Sequence, residues 1–135
     1  MAGLYIDTSA LGRVLLAEPD APAIRRAVGA HTASWSSELV VVELRRLGAR
    51  EGLVDEAERL LENIMVHPVD REALEIASRI EPLTVRSLDA IHLQAATVLL
   101  ARGEIAAMLT YDRQLIAGSR HHGLPVLTPS VDDEV

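Results

Sequence analysis

The sequence predicts an α/β protein, a three-layer α/β/α sandwich around a mainly parallel central sheet of four or five strands. Short apolar runs alternate along the chain with longer segments in which apolar residues recur at helical spacing. The length of 135 residues suits one domain, and no repeat or Pro/Gly/Ser-rich linker divides the chain. We therefore expect a single domain over residues 1–135, in which residues 130–135 form a flexible polar tail.

The predicted strands are short apolar runs bounded by polar or turn-forming residues. The first run is the clearest, because its residues are large and apolar and it ends at the polar residues Asp7-Thr8-Ser9. In chain order the predicted strands cover residues 4–6, 32–35, 66–69, 107–111 and 125–127.

The predicted helices are the segments with a repeat of three to four residues between apolar positions. Ser36 or Ser37 is expected to cap the third helix, and Gly103 is the stop signal of the sixth. The fourth is amphipathic, with an acidic face and an apolar face that suits either the core or a partner. In chain order the helices cover residues 10–17, 22–29, 37–50, 54–64, 71–80, 87–102 and 113–122.

Two missing residue types exclude several kinds of chemistry. The chain has no cysteine, which rules out disulfide scaffolds, thiolate zinc sites and cysteine nucleophiles. All 13 basic residues are arginine, so a Walker-A loop, a Schiff-base lysine and a Ser-x-x-Lys hydrolase cannot be built. The N-terminus has no basic region and no segment could span a bilayer, so we expect a cytoplasmic protein without membrane contact.

The net charge of −7 argues against a broad basic face for nucleic acid. One tryptophan, two tyrosines and no phenylalanine are too few for a base-stacking platform. The acidity therefore has three interpretations: solubility, a basic partner, or carboxylates gathered around metal ions.

Two aspartates follow predicted strands. Asp7 comes directly after the first strand and Asp112 directly after the fourth. In a parallel sheet these strand ends lie at the same edge, where reactive groups of α/β proteins are found. Each aspartate also precedes a helix, so each has the alternative role of a helix N-cap, and one residue can do both.

Two further acids fall on the packed sides of helices. Glu43 lies in the middle of an apolar stripe, where a carboxylate needs a cation or strong donors. It is expected either to face a metal site or to form a buried ion pair with Arg46 or Arg50. Asp89 suits the helix dipole at the start of its helix, yet projects toward the packed side. His92 is expected to pack or hydrogen-bond there rather than to ligate metal.

Without cysteine and with dispersed histidines, the available metal ligands are hard oxygens, which select Mg²⁺ or Mn²⁺. Four blocks of sequence carry these acids in order, and together they resemble the acidic blocks of PIN-domain ribonucleases, specifically the VapC-type toxins of type II toxin–antitoxin modules. The resemblance covers almost the whole chain. The blocks are Tyr5-Ile6-Asp7-Thr8-Ser9-Ala10-Leu11, Ser37-Glu38-Leu39-Val40-Val41-Val42-Glu43-Leu44, Leu88-Asp89-Ala90-Ile91-His92-Leu93 and Leu109-Thr110-Tyr111-Asp112.

The resemblance implies an endoribonuclease that uses one or two Mg²⁺ or Mn²⁺ ions, with Asp7, Glu43, Asp89 and Asp112 as its catalytic, metal-binding acids. It also implies an RNA substrate, a cognate antitoxin that blocks the site, a homodimer of the chain, and a hetero-oligomer with the antitoxin. More than half of the net charge of −7 would then belong to the reaction centre.

Several neighbouring residues have two open roles. Thr8, Ser9 and Thr110 are expected either to hydrogen-bond to the carboxylates or metal-bound water, or to make local turn bonds. Arg86 and Arg113 flank Asp89 and Asp112, and each would either hold an RNA phosphate or pair with the neighbouring acid.

Two other functions compete with ribonuclease activity. One is a catalytically inactive PIN-like module that only binds a protein partner, against which the four intact acids argue. The other is aspartate-based phosphotransfer or phosphatase chemistry, because Asp7 occupies the usual nucleophile position after a first strand. Ser9 stands where a haloacid-dehalogenase-like enzyme needs a second aspartate, and the lysine of a receiver domain is missing.

Overall fold

The computed structural model describes residues 2–133, which form a five-stranded, entirely parallel sheet with helices on both faces. The strands are β1 (Gly3–Ile6), β2 (Ser34–Ser37), β3 (Met65–His67), β4 (Ile105–Leu109) and β5 (Val126–Leu127), in the spatial order β3-β2-β1-β4-β5. The helices are α1 (Thr8–Leu15), α2 (Ala21–Gly29), α3 (Leu39–Glu51), α4 (Val54–Glu62), α5 (Arg71–Ala77), α6 (Ser87–Ala101) and α7 (Arg113–His121). The predicted three-layer α/β/α class is confirmed.

The central strand β1 divides the core into two layers. Leu4 and Ile6 point into a cluster with α1, α2, α3 and α4, whereas Tyr5 between them points into a cluster with α6 and α7. All four residues of β1 are buried, as expected for a parallel strand that is covered on both faces. The alternation of side chains along one strand therefore separates the helices into two layers.

The order of the strands marks the position of a functional crevice. The chain builds outward from β1 through β2 to β3, then crosses back to place β4 on the other side of β1. In open α/β sheets, ligands bind beyond the carboxyl ends of the strands where the strand order reverses. Here that point lies between the ends of β1 and β4.

Two strand boundaries differ from the sequence prediction because pairing sets them. β4 runs from Ile105 to Leu109 rather than over 107–111, since its register with β1 pairs Ile6 with Leu109 at its end. Asp112 is therefore separated from its strand by two residues, instead of following it directly. β2 covers Ser34–Ser37 rather than 32–35, because Ser36 and Ser37 pair with β3.

Helix boundaries differ by smaller amounts. α1 begins at Thr8, two residues earlier than predicted, because Asp7 caps it. α5 ends at Ala77 rather than at residue 80. Of the predicted tail over 130–135, Val131–Asp133 form a 3₁₀ turn, while residues 134 and 135 lie outside the described residues. Between residues 2 and 133, none of the helices combines the length and apolarity required to cross a bilayer.

Candidate active site

Asp7 stands at the carboxyl end of β1 and is the N-cap of α1, where its side chain accepts a hydrogen bond from the Ala10 N–H at 3.2 Å. Its carboxylate also accepts from Ser9 Oγ at 2.8 Å and from Thr110 Oγ1 at 2.7 Å. Only 4% of Asp7 is exposed. Burial raises the pKa of Asp7, and the hydrogen bonds from Thr110 and Ser9 oppose that rise.

Thr110 connects the ends of the two central strands. Its hydroxyl donates to Asp7 Oδ2 and accepts from the Asp112 N–H at 3.1 Å. Asp112 in turn caps α7, because its side chain accepts from the Leu115 N–H at 2.9 Å. Both strand-end aspartates therefore have the capping role that the sequence left open, and one buried hydroxyl holds them at the same edge.

Glu43 lies in α3 with 24% of its side chain exposed. The alternative of a buried ion pair with Arg46 or Arg50 is wrong, since both arginines are exposed. The side chain that faces Glu43 is His92, whose Nε2 lies 2.8 Å from Glu43 Oε1.

Hydrogen bonding, rather than burial, decides the charge of Glu43. Thr8 Oγ1 donates to Glu43 Oε1 at 2.6 Å. Burial alone would raise the pKa of Glu43, but the hydrogen bonds from His92 and Thr8 lower it overall.

His92 is buried and hydrogen-bonded through both ring nitrogens. Nε2 faces Glu43, and Nδ1 lies 2.6 Å from the hydroxyl of Tyr5. The expectation that this histidine hydrogen-bonds within the packed side of its helix is therefore confirmed. Its tyrosine partner was not among the predicted site residues, although a tyrosine in a fully buried strand signals a hydroxyl that needs a partner.

Asp89 is half-buried in the first turn of α6. Burial and then the charge of Asp112 raise the pKa of Asp89 to about 6, with a smaller contribution in the same direction from Asp7. Asp89 therefore lies within electrostatic range of both Asp112 and Asp7. Like charges held together in this way resist simultaneous ionisation.

The chemistry of these groups fits a hard divalent cation. The donors are carboxylate oxygens with hydroxyl groups behind them, which suits Mg²⁺ or Mn²⁺, and a cation would relieve the repulsion that acts on Asp89. Within residues 2–133 no three histidine, aspartate or glutamate side chains stand grouped so as to hold a metal ion. The ligand set of Asp7, Glu43, Asp89 and Asp112 stays a prediction.

Of the two roles left open for the hydroxyl groups, the structure shows hydrogen bonds to carboxylates: Thr8 donates to Glu43, and Ser9 and Thr110 donate to Asp7. Arg86 precedes α6, and its backbone N–H and Nε both donate to Gln114 Oε1, at 2.9 and 3.3 Å. This role of Gln114 was not predicted, because the two residues are 28 positions apart in the chain and belong to different helical segments.

Comparison with known proteins gives this geometry a family. A family model described as the PIN domain matches residues 4–120. The chain belongs to the PIN domain family. Ribonuclease VapC47 of Mycobacterium tuberculosis (strain CDC 1551 / Oshkosh) is 37% identical to this PIN domain over 133 residues, which cover 93% of this chain and 96% of the relative. Ribonuclease VapC46 of Mycobacterium tuberculosis (strain ATCC 25618 / H37Rv) is 31% identical over 132 residues, covering 96% of this chain and all of the relative.

The resemblance to VapC-type PIN proteins is thus confirmed over nearly the whole chain. The four acidic blocks all fall inside the matched region of this PIN domain.

Proposed function

We propose that this PIN domain is a metal-dependent endoribonuclease toxin that hydrolyses phosphodiester bonds in RNA and is neutralised by a cognate antitoxin. The observation that carries the proposal is that Asp89 lies within electrostatic range of Asp112 and Asp7, near the point where the strand order reverses. There, burial and the charges of Asp112 and Asp7 oppose the ionisation of Asp89. The two VapC ribonucleases that resemble the chain support RNA as the substrate.

The proposed ligands are Asp7, Glu43, Asp89 and Asp112, which would hold one or two Mg²⁺ or Mn²⁺ ions. A bound divalent cation acidifies water and stabilises negative charge on a phosphate and its leaving oxygen. Hydrolysis of this kind would leave a 5′-phosphate and a 3′-hydroxyl.

The chain's own residues would contribute orientation. Ser9, Ala10 and Thr110 fix the Asp7 carboxylate from three directions, so it need not reorganise during the reaction. Arg86 is exposed next to Asp89, and its planar guanidinium suits an RNA phosphate. RNA would therefore be held by cations and a few arginines rather than by a broad basic face.

The proposed protein partners are the antitoxin and a second copy of this chain, in the cytoplasm where RNA is accessible. A basic segment of an antitoxin would complement the acidic site. The fourth helix serves the core through Ala57, which is buried, and through Leu60 and Leu61, which pack against it. Leu60 also lines an apolar groove of about 290 Å³ with α1 and α2, which gives the helix a face for a partner as well.

RNA cleavage by the purified protein tests the proposal. We expect cleavage with Mg²⁺ or Mn²⁺, none with excess chelator, and loss of at least about 100-fold in Asp7→Asn and Asp89→Asn, because removal of a metal-binding carboxylate disables the site. Circular dichroism should show that both variants stay folded. Asp70→Asn is the matched control, since Asp70 caps α5 through the Ala73 N–H at 2.8 Å and an asparagine caps equally well.

Each competing function gives a distinct result in the same assay. Cleavage that persists in excess chelator would exclude the metal mechanism. A folded protein that neither binds Mn²⁺ nor cleaves RNA would favour the inactive interaction module, and a trapped acyl phosphate on Asp7 would favour phosphotransfer.

A further inference from the structure

A chain of hydrogen bonds runs from the end of β2 through the core to Glu43. The Ser37 N–H donates to the Tyr5 hydroxyl oxygen at 3.0 Å. The Tyr5 oxygen lies 2.6 Å from His92 Nδ1, and His92 Nε2 lies 2.8 Å from Glu43 Oε1. Tyr5 is fully buried and His92 is 2% exposed. We call Tyr5 and His92 the Tyr–His pair.

The direction of donation along this chain follows from the Ser37 end. A peptide N–H can only donate, so the Tyr5 oxygen accepts there and its own proton remains available for another acceptor. A phenol is protonated at neutral pH, so the Tyr5 hydroxyl has a proton to donate. When Tyr5 donates to Nδ1, the neutral imidazole carries its proton on Nε2 and directs it at Glu43.

The other end of the chain leaves half of the Glu43 carboxylate free. His92 and Thr8 both donate to the same oxygen, Oε1. Within residues 2–133 no side chain or backbone N–H donates to Oε2. The carboxylate is thus fixed through one oxygen and presents the other one.

We propose that the Tyr–His pair positions Glu43: Tyr5 selects the Nε2–H tautomer of His92, and this tautomer anchors one carboxylate oxygen so that the other is available to a divalent cation. This inference rests on the proposed function, because it assigns a purpose to the Glu43 carboxylate. Tyr5 and His92 are positioning residues, and neither contacts the substrate.

Packing alone does not account for the Tyr–His pair. Tyr5 belongs to an apolar cluster with Leu93, Met108 and Leu115, where a phenylalanine would supply the same buried surface. Replacing two hydrogen-bonded polar side chains by apolar ones of similar shape is often close to neutral for stability. Such a replacement would remove the hydrogen bond between His92 Nε2 and Glu43 Oε1.

The tautomer of His92 in the metal-free wild-type protein is the first test, and it needs no variant. Nitrogen NMR of the imidazole should show the proton on Nε2, with Nδ1 accepting. A His92 that carries its proton on Nδ1, or that exchanges between both tautomers, would overturn the proposal.

Variants then separate positioning from packing. We expect Tyr5→Phe to release the tautomer and to weaken Mn²⁺ binding, measured by calorimetry, by about 10- to 100-fold, the usual effect of losing a residue that orients a metal ligand. His92→Gln, which keeps an N–H for Glu43, should lose less than His92→Leu. RNA cleavage should fall mainly in kcat at saturating RNA, since neither residue touches the substrate.

Tyr111→Phe is the matched control, because it removes a hydroxyl that donates to the Pro129 carbonyl outside this chain of bonds. It should leave the His92 tautomer and Mn²⁺ affinity unchanged. Equal Mn²⁺ affinities in wild type, Tyr5→Phe and His92→Leu would refute the positioning role. Failure of wild type to bind Mn²⁺ at all would instead count against the proposed function, and the tautomer in metal-free protein would still decide whether Tyr5 orients His92.

Discussion

Asp7 and Asp89 lie within electrostatic range of each other but are held in opposite ways. Asp7 is 4% exposed and accepts hydrogen bonds from two hydroxyls and a backbone N–H. Asp89 is half-buried, and no group within residues 2–133 donates a hydrogen bond to its carboxylate. Burial raises the pKa of both carboxyl groups. At Asp7 the hydrogen bonds from Thr110 and Ser9 oppose that rise, whereas at Asp89 the charges of Asp112 and Asp7 add to it.

This difference indicates a division of work inside the proposed metal site. Hydrogen bonds within the protein orient the Asp7 carboxylate without any cation, so Asp7 would serve as the fixed ligand of the proposed metal site. Asp89 lacks such hydrogen-bond donors, and the charges of His92 and Arg86 offset only part of the rise in its pKa. Protons or bound cations would relieve the rest of its repulsion from two neighbouring aspartates. Relief of the repulsion at Asp89 would accordingly contribute to metal affinity. The hydrogen bonds to Asp7 would set the geometry of the bound ion.

Thr110→Val is the sharpest way to break the Asp7 side of this comparison. The change removes the donor to Asp7 Oδ2 and the acceptor of the Asp112 N–H while keeping the side-chain shape. Thr110 is fully buried, so leaving its partners unsatisfied should cost about 1–3 kcal/mol of unfolding free energy. Urea unfolding of the metal-free protein measures the loss.

Thr97→Val provides the comparison for that substitution. Thr97 Oγ1 donates to the Gln94 carbonyl within α6 at 2.9 Å, a bond inside a helix that contributes little to stability. Its loss should be much smaller than that of Thr110→Val. Equal losses in the two variants would mean that Thr110 does not hold the strand ends together.

Some positions in the site can be predicted from the sequence and others cannot. The positions of Asp7 and Asp112 follow from a rule about where parallel strands end, and that rule needs no knowledge of side-chain contacts. The hydrogen bond between Glu43 and His92 was not predicted, because His92 is 49 residues away in the chain and only the tertiary fold brings the two side chains together. The end of β4 was misplaced because its pairing with β1 sets the boundary.

Asp89→Asn breaks the other side of the comparison. Since the pKa of Asp89 is about 6 in the folded protein and about 3.9 in an unfolded chain, the folded state binds more protons between these values. Its contribution to the unfolding free energy is therefore greatest below about pH 4 and is lost as pH rises through about 6. In chelator at pH 7, Asp89→Asn should be more stable than wild type, and the difference should shrink toward pH 4.

Asp55→Asn is the matched control, because Asp55 also lies in the first turn of a helix but is exposed. Its charge interacts favourably with the dipole of α4, so its loss should lower stability slightly, which is opposite in sign to the effect of Asp89→Asn.

Adding Mg²⁺ should stabilise wild type more than Asp89→Asn, because a ligand that binds the folded state raises its stability by an amount that grows with affinity. An Asp89→Asn variant that is less stable than wild type in chelator would contradict this account.

Arg86→Gln should give the smallest effect. Arg86 precedes α6, and its charge lowers the pKa of Asp89 as the last of several causes. If it holds an RNA phosphate, the substitution should weaken RNA binding several-fold for all sequences and reduce the slope of affinity against salt by about 1. Arg102→Gln, an exposed arginine at the other end of α6, is the control. RNA binding should be measured over a salt series for both substitutions in the cleavage-deficient Asp7→Asn background. If Arg86→Gln and Arg102→Gln give the same slope of affinity against salt, Arg86 contacts no RNA phosphate.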